Sequence, residues 1–211
     1  MFAGQSSRFT ERARFGAAMI DDVVRLFDHL HIQRAHVVGH SLGALVAANV
    51  AARYPSRVAT VSLVAPPLYA DSAAYMQAYG AGIGDLEHGA GMARFNQVVF
   101  PGTPDSVATA WSVAILAANP APTLVAVLGS LSGLTLPPSA ASAVRGVPTL
   151  IAAGTNDPLL RQARWLASWW PDARLVEVPG ADHGNVFGRP EVWAAVRQLL
   201  RTRAAAASPP G

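Results

Sequence analysis

The sequence of 211 residues has no cysteine, and all of its basic residues are arginines because lysine is absent as well. Without cysteine, the chain has no disulfides, no zinc–thiolate site and no thiol nucleophile. No apolar run is long enough to span a bilayer, and residues 1–14 lack the apolar stretch of a signal peptide. We therefore expect a cytoplasmic protein with no integral membrane segment.

Charge clusters and metal-ligand patterns are also lacking. The arginines are scattered without interleaved aromatic residues, and the formal net charge is only +3. Because a nucleic-acid surface needs clustered positive charge, nucleic acid is not an expected partner. His29 and His31 have no carboxylate or thiol companions at ligand spacing. The sequence therefore predicts neither a metal nor a cofactor.

What the sequence does contain is a regular alternation of strand and helix patterns. Hydrophobic residues make up 51% of the chain, enough for a sizeable core. The patterns predict strands at 34–39, 58–65, 148–153 and 174–178, and helices at 15–30, 44–54, 157–170 and 190–203. Apolar strands alternating with helices are typical of an α/β fold with a parallel sheet of about four buried strands, flanked by helices.

The middle of the chain has a different texture. Residues 69–145 are rich in Gly, Ala, Ser and Pro and contain no clear strand. Helical patterns occur at 71–79, 91–100, 105–118 and 122–133, and a glycine-punctuated loop is predicted at 80–91. We predict a core made of residues 1–68 and 146–203, a helical cap inserted at 69–145, and a disordered tail at 204–211.

A Gly-x-Ser-x-Gly motif, Gly39 to Gly43, lies between a predicted strand and a predicted helix. In that context the motif is typical of a nucleophile elbow, a turn so tight that the side chain of Ser41 stands clear of the sheet. Without Cβ atoms at Gly39 and Gly43, strand and helix could approach closely around the turn. Alternatively, Ser41 could simply cap the helix.

Two further polar residues, Asp157 and His183, also follow the carboxyl ends of predicted strands. In open parallel sheets functional groups collect at these ends. Serine is a poor nucleophile without a base within hydrogen-bond reach, and histidine serves that role, oriented by an acid. Asp157 precedes Pro158, however, which is also typical of an ordinary helix N-cap. Asp71 is the alternative acid.

With its order of Ser, Asp and His, the chain resembles the α/β-hydrolase superfamily, in particular its esterase, lactonase and haloperoxidase-like branch. The resemblance rests on residues 37–43, 153–158 and 178–183 and covers roughly residues 2–203. It implies that Ser41 is the nucleophile, His183 the general base and then acid, and Asp157 the orienting acid. Leu42 would donate its N–H to the oxyanion, and His40 would line the substrate site.

This resemblance implies a serine hydrolase that cleaves small-molecule carboxylic esters or lactones through an acyl-enzyme. Perhydrolysis, acyl transfer and C–C bond hydrolysis use related sites and stay open. Two alternatives from other classes are an inactive remnant or binding module of the same fold, and a membrane-associated lipase.

The start of the chain departs from the family pattern. The family places further strands and a His-Gly loop, which supplies a second oxyanion donor, before the region where this chain begins. His88-Gly89 has the same letters but lies in the predicted insertion. We interpret the difference as a misassigned start codon or a fragment, or else as a minimal hydrolase. The strand leading to Ser41 would then have an exposed edge, which favours a homo-oligomer.

Overall fold

The structure, a computed structural model, describes residues 10–207. Within this range the strands are β1 (Ala35–His40), β2 (Val58–Val64), β3 (Thr149–Gly154) and β4 (Ala173–Val178). The α-helices are α1 (Ala17–His29), α2 (Leu42–Arg53), α3 (Ser72–Glu87), α4 (Ala93–Val99), α5 (Asp105–Ala118), α6 (Ala121–Ser130), α7 (Ala141–Val144), α8 (Leu160–Trp169) and α9 (Pro190–Ala207).

The four strands found between residues 10 and 207 form one parallel sheet in the order β1-β2-β3-β4. Leu63 of β2 lies opposite Ile151 of β3, which in turn lies opposite Leu175 of β4. Each connection between neighbouring strands contains at least one helix, as parallel pairing requires. The predicted α/β fold with a four-stranded parallel sheet is confirmed.

The described chain forms two compact units. One consists of residues 10–19 and Tyr69–Thr135 and contains helices α3 to α6; the other consists of Ile20–Leu68 and 136–207 and contains the sheet. The predicted bounds of a core and an inserted cap remain a prediction.

The sheet unit has its core on both faces of β3, which is buried along its whole length. Leu150 and Ala152 pack in one apolar cluster with Val178 and with Val192 and Val196 of α9. Since side chains alternate along a strand, Ile151 and Ala153 point to the opposite face. Helix α2 packs on β1 and β2, and α8 on β3 and β4. Burial of both faces explains the continuous apolar runs of the strand sequences.

Strand β1 differs from the buried strand predicted at 34–39. It has β2 as its single neighbour among the described residues, so its residues alternate between exposed and half-buried up to Gly39. Val38 is 37% exposed. His36 of the same strand is also exposed, although its Nδ1 lies 3.0 Å from the Thr60 hydroxyl. The prediction of burial was wrong because an edge strand lacks one lateral neighbour.

The helical unit corrects the glycine-rich loop predicted at 80–91, because α3 continues through most of it to Glu87. A Cβ on Gly82 would lie 2.8 Å from the backbone nitrogen of Phe95, so the missing side chain lets α4 approach α3 closely. Tyr75 anchors α3 to α6 by donating its buried hydroxyl to the Leu128 carbonyl (2.9 Å). This burial raises the pKa of Tyr75.

The end of the chain is more helical than predicted. Helix α9 continues to Ala207, beyond the expected end at residue 203, and residues 208–211 of the predicted tail lie outside the described range. Of the helices in residues 10–207, none is by itself long and apolar enough to cross a membrane. Asp105–Ala118 and Ala121–Gly133, bent by 102°, meet the length and composition criteria only together.

Self-association through the exposed edge of β1 remains a prediction. We expect the wild-type protein to form dimers or larger species as its concentration rises, and Val38→Lys to weaken this association because a charge on the edge strand resists burial. Sedimentation velocity over a concentration series measures the effect. Ser168→Lys, a change at an exposed residue of α8, is the control. A wild-type protein that stays monomeric throughout would contradict the prediction.

Candidate active site

Ser41 occupies the turn between β1 and α2 in a backbone conformation that L-residues seldom adopt. Its φ is 53° and its ψ is −120°. The Ser41 N–H donates to the Val64 carbonyl (2.9 Å), and the Ser41 carbonyl accepts from the N–H groups of Ala44 (2.9 Å) and Leu45 (3.2 Å). These bonds hold the strained residue in place. Ser41 occupies the N-cap position of α2, but its side chain makes no capping hydrogen bond to that helix, so capping does not account for the hydroxyl.

The tightness of this turn depends on Gly39. A Cβ on Gly39 would lie 2.2 Å from the Gly43 carbonyl oxygen, so any side chain there would force strand and helix apart. A Cβ on Gly43 would meet nothing within 4 Å. The expectation that a missing side chain allows the close approach is confirmed at Gly39 and wrong at Gly43.

His183 and Asp157 lie with Ser41 at the carboxyl ends of the strands. His183 Nε2 is 3.0 Å from Ser41 Oγ, and His183 Nδ1 is 3.1 Å from Asp157 Oδ2 and 3.3 Å from Asp157 Oδ1. His183 and Asp157 are 5% and 4% exposed, respectively. Because an ionised carboxylate only accepts hydrogen bonds, Nδ1 must carry the proton of the neutral imidazole. The Nε2 lone pair is then directed at the serine hydroxyl.

The carboxylate of Asp157 is held from a second side. Its Oδ1 also accepts from the N–H of Leu159 (2.8 Å), the residue that precedes α8. Leu159, and not Asp157, occupies the N-cap position of that helix. Asp71, the alternative acid, caps α3 instead by accepting from the Ala74 N–H (2.8 Å). Of the two candidate acids, Asp157 is therefore the one bonded to His183.

The loops that carry Asp157 and His183 are bonded to each other. The Asn156 N–H donates to the Ala181 carbonyl (2.9 Å), and the Gly180 N–H donates to Thr155 Oγ1 (2.8 Å). A Cβ on Gly154 would lie only 2.0 Å from the Ala181 oxygen. Sequence reasoning missed the supporting role of Gly154, Thr155 and Asn156. The one signal for it in the sequence is their position next to Asp157.

The remaining predicted site residues are Leu42 and His40. Leu42 opens α2, so its N–H is among those that have no partner within the helix and are available to an anion. The half-buried His40 places its Nε2 3.0 Å from the carbonyl oxygen of His183. Burial, and next the neighbouring His183, lower the pKa of His40.

Other histidines lie in different surroundings. His88 Nδ1 bonds the Gly84 carbonyl (2.7 Å) at the end of α3, so His88-Gly89 follows a helix and not a strand. Nowhere in residues 10–207 do three His, Asp or Glu side chains come together as a metal site. That the protein needs no metal or cofactor remains a prediction.

A model of the alpha/beta hydrolase fold matches residues 1–190 of the chain. Among curated proteins, the dihydrolipoyllysine-residue acetyltransferase component of the acetoin cleaving system from Pseudomonas putida is 42% identical over 62 residues. This segment is 29% of the chain but only 16% of that relative. The relative is thus matched over a small part of its length.

Solved structures resemble the chain over most of its length. A carboxylesterase from Nitrososphaera gargenis has a TM-score of 0.69 at 18% identity, covering 97% of this chain and 76% of that one. A thermophilic esterase from Thermogutta terrifontis has a TM-score of 0.69 at 24% identity, covering 94% and 75%. At such identities, this similarity shows the fold alone.

Gly154→Ala tests whether the contact between the two loops depends on a missing side chain. The added methyl group would overlap the Ala181 backbone, and overpacking of this kind typically costs about 1–3 kcal/mol. We expect a melting temperature lower by about 2–12 °C, measured by differential scanning calorimetry. Gly188→Ala is the matched control, because a Cβ there meets nothing within 4 Å. Equal melting temperatures for the two variants would show that the contact between the two loops does not depend on the missing side chain at Gly154.

Proposed function

The chain belongs to the alpha/beta hydrolase fold family, and from this membership we propose that it is a serine hydrolase of small-molecule carboxylic esters or lactones. The observation that carries the proposal is the continuous line of hydrogen bonds from Ser41 Oγ through the imidazole of His183 to the carboxylate of Asp157. A base within 3.0 Å of the serine hydroxyl is what this nucleophile needs.

In the first half of the reaction, His183 Nε2 takes the proton of Ser41 while Oγ attacks the carbonyl carbon of the ester. Asp157 keeps the imidazole in the reactive tautomer and stabilises the imidazolium that forms. The tetrahedral intermediate then collapses, and the proton passes from Nε2 to the departing alkoxide oxygen. The products of this half-reaction are an alcohol and an acyl group esterified to Ser41.

Negative charge develops on the former carbonyl oxygen during the attack. The Leu42 N–H and the positive end of α2, a helix of 12 residues, would stabilise it. In the second half, His183 takes a proton from water as the water oxygen attacks the acyl carbon. The same proton returns to Ser41 Oγ when the carboxylic acid leaves. With a lactone, the alcohol and the acid are two ends of one product.

Two kinds of support favour esters as the first substrates to test. The solved structures described above include enzymes named as esterases, although the likeness itself shows only the fold. The geometry adds a serine held in a strained turn, a feature that often marks functional sites. The alternative is an inactive form or a binding module of the same fold, which would have the fold without turnover.

Ser41→Ala is expected to abolish the covalent reaction. A fluorophosphonate probe should label the wild-type protein but not the variant, and hydrolysis of p-nitrophenyl butyrate should fall by about a thousandfold or more. Ser168→Ala, which removes an exposed hydroxyl from α8, is the control and should keep both activities. Labelling that persists in Ser41→Ala would refute the assignment of the nucleophile, whereas absence of turnover in the wild type would favour the inactive form.

Asp157→Asn tests the orienting acid. The amide has a single acceptor oxygen, and its NH₂ would favour the wrong imidazole tautomer, so kcat should fall by about three to four orders of magnitude. Ester hydrolysis measured beside a circular dichroism melt separates this loss from unfolding. Asp71→Asn is the matched control, because asparagine also caps helices and should leave kcat unchanged. A larger loss in Asp71→Asn than in Asp157→Asn would reverse the choice of acid.

A further inference from the structure

His40, the residue before the proposed nucleophile, is bonded to the backbone of the proposed base. Its Nε2 lies 3.0 Å from the carbonyl oxygen of His183. A carbonyl oxygen only accepts hydrogen bonds, so the proton must sit on Nε2 of His40. Two consecutive residues at the end of β1 therefore contact His183. Ser41 bonds the side chain of His183, and His40 bonds the main chain of His183.

The ring of His40 also packs between two side chains of the same loop. Its centroid is 5.1 Å from that of His183 and 5.4 Å from that of Phe187. Phe187 in turn packs edge to face on Trp193 of α9, at 5.2 Å, and its carbonyl accepts from the Trp193 indole (2.8 Å). His40 therefore connects the end of β1 to a loop that is itself fixed to a helix.

The electrostatic surroundings favour the uncharged ring of His40. The neighbouring His183 side chain lowers the pKa of His40, whereas the hydrogen bond to the His183 carbonyl and the nearby Asp157 raise it by smaller amounts. Burial, the largest cause, also lowers the pKa of His40. A neutral Nε2–H donates to the carbonyl without placing a like charge 5.1 Å from an imidazole that becomes cationic during the proposed reaction.

We propose that His40 is a positioning residue, which as a neutral hydrogen-bond donor fixes the backbone of His183 so that the imidazole faces Ser41. This inference rests on the proposed function. It gives His40 a role different from the expected one of lining the substrate site, because its donor nitrogen is already bonded to His183. Its effect on the reaction is indirect, through the placement of the base.

Two substitutions distinguish the effect of the hydrogen-bond donor of His40 from the effect of its aromatic ring. His40→Phe keeps an aromatic ring but removes the donor, and a base displaced by about 1 Å can cost about a hundredfold in rate. We expect kcat for p-nitrophenyl butyrate to fall between about tenfold and a hundredfold, with KM nearly unchanged. His40→Gln restores an uncharged N–H donor and should recover most of this loss. His36→Gln, at an exposed position on the same face of β1, should keep the wild-type kcat.

A second measurement does not depend on turnover. An NMR titration of the histidine ring resonances should show His40 titrating below the usual histidine range in the intact protein. In His183→Gln, the pKa of His40 should rise because a like charge has been removed. If the wild-type protein turns over no ester, the proposed function fails, yet the titration still reports whether the two rings interact.

The outcomes are distinct. A fall in kcat in His40→Phe with recovery in His40→Gln, at similar melting temperatures, supports the positioning role, as does the shifted titration in His183→Gln. An unchanged kcat in His40→Phe overturns it, and so does an equal loss in both variants. A rise in KM with normal kcat also overturns it, because that pattern identifies a residue that binds substrate. An unshifted titration of His40 in His183→Gln shows that the two rings do not interact, which contradicts the arrangement on which the positioning role rests.

Discussion

Parallel pairing of the strands is the constraint on which the candidate site depends. β1, β3 and β4 run in the same direction, so the residues that follow them emerge at one edge of the sheet. Ser41 and His183, 142 positions apart in the chain, come within 3.0 Å for this reason. Had any of these strands been reversed, its polar residue would lie at the opposite edge, and no local rearrangement of a loop would bring the three side chains together.

Local contacts then set the positions of the three polar side chains that the sheet brings together. The absence of a side chain at Gly39 allows the turn that exposes Ser41, and its absence at Gly154 allows the loop of Asp157 to touch the loop of His183. The buried pair of His183 and Asp157 is bonded to the serine. Such preorganisation reduces the rearrangement needed during a reaction, because the groups are already oriented where charge would develop.

Sequence reasoning went wrong where lateral neighbours matter. The apolar pattern of residues 34–39 predicts a buried strand, and only the family resemblance indicated that the strand leading to Ser41 has an exposed edge, as β1 does among the described residues. Glycine likewise predicts a break in a helix by propensity alone. In α3 that cost is offset because Gly82 lets α4 pack against it, and this packing exists only in the folded chain.

The sequence by itself determined the fold class, the strand–turn–helix setting of Ser41 and the order of the three polar residues, because periodicity and motifs are local properties of the chain. Only the tertiary structure decided that Asp157 rather than Asp71 bonds His183, that the Ser41 hydroxyl bonds His183 instead of its own helix, and that His40 contacts the backbone of His183. Each of these depends on distances between segments far apart in the chain, which are fixed by how the strands pair and the loops pack.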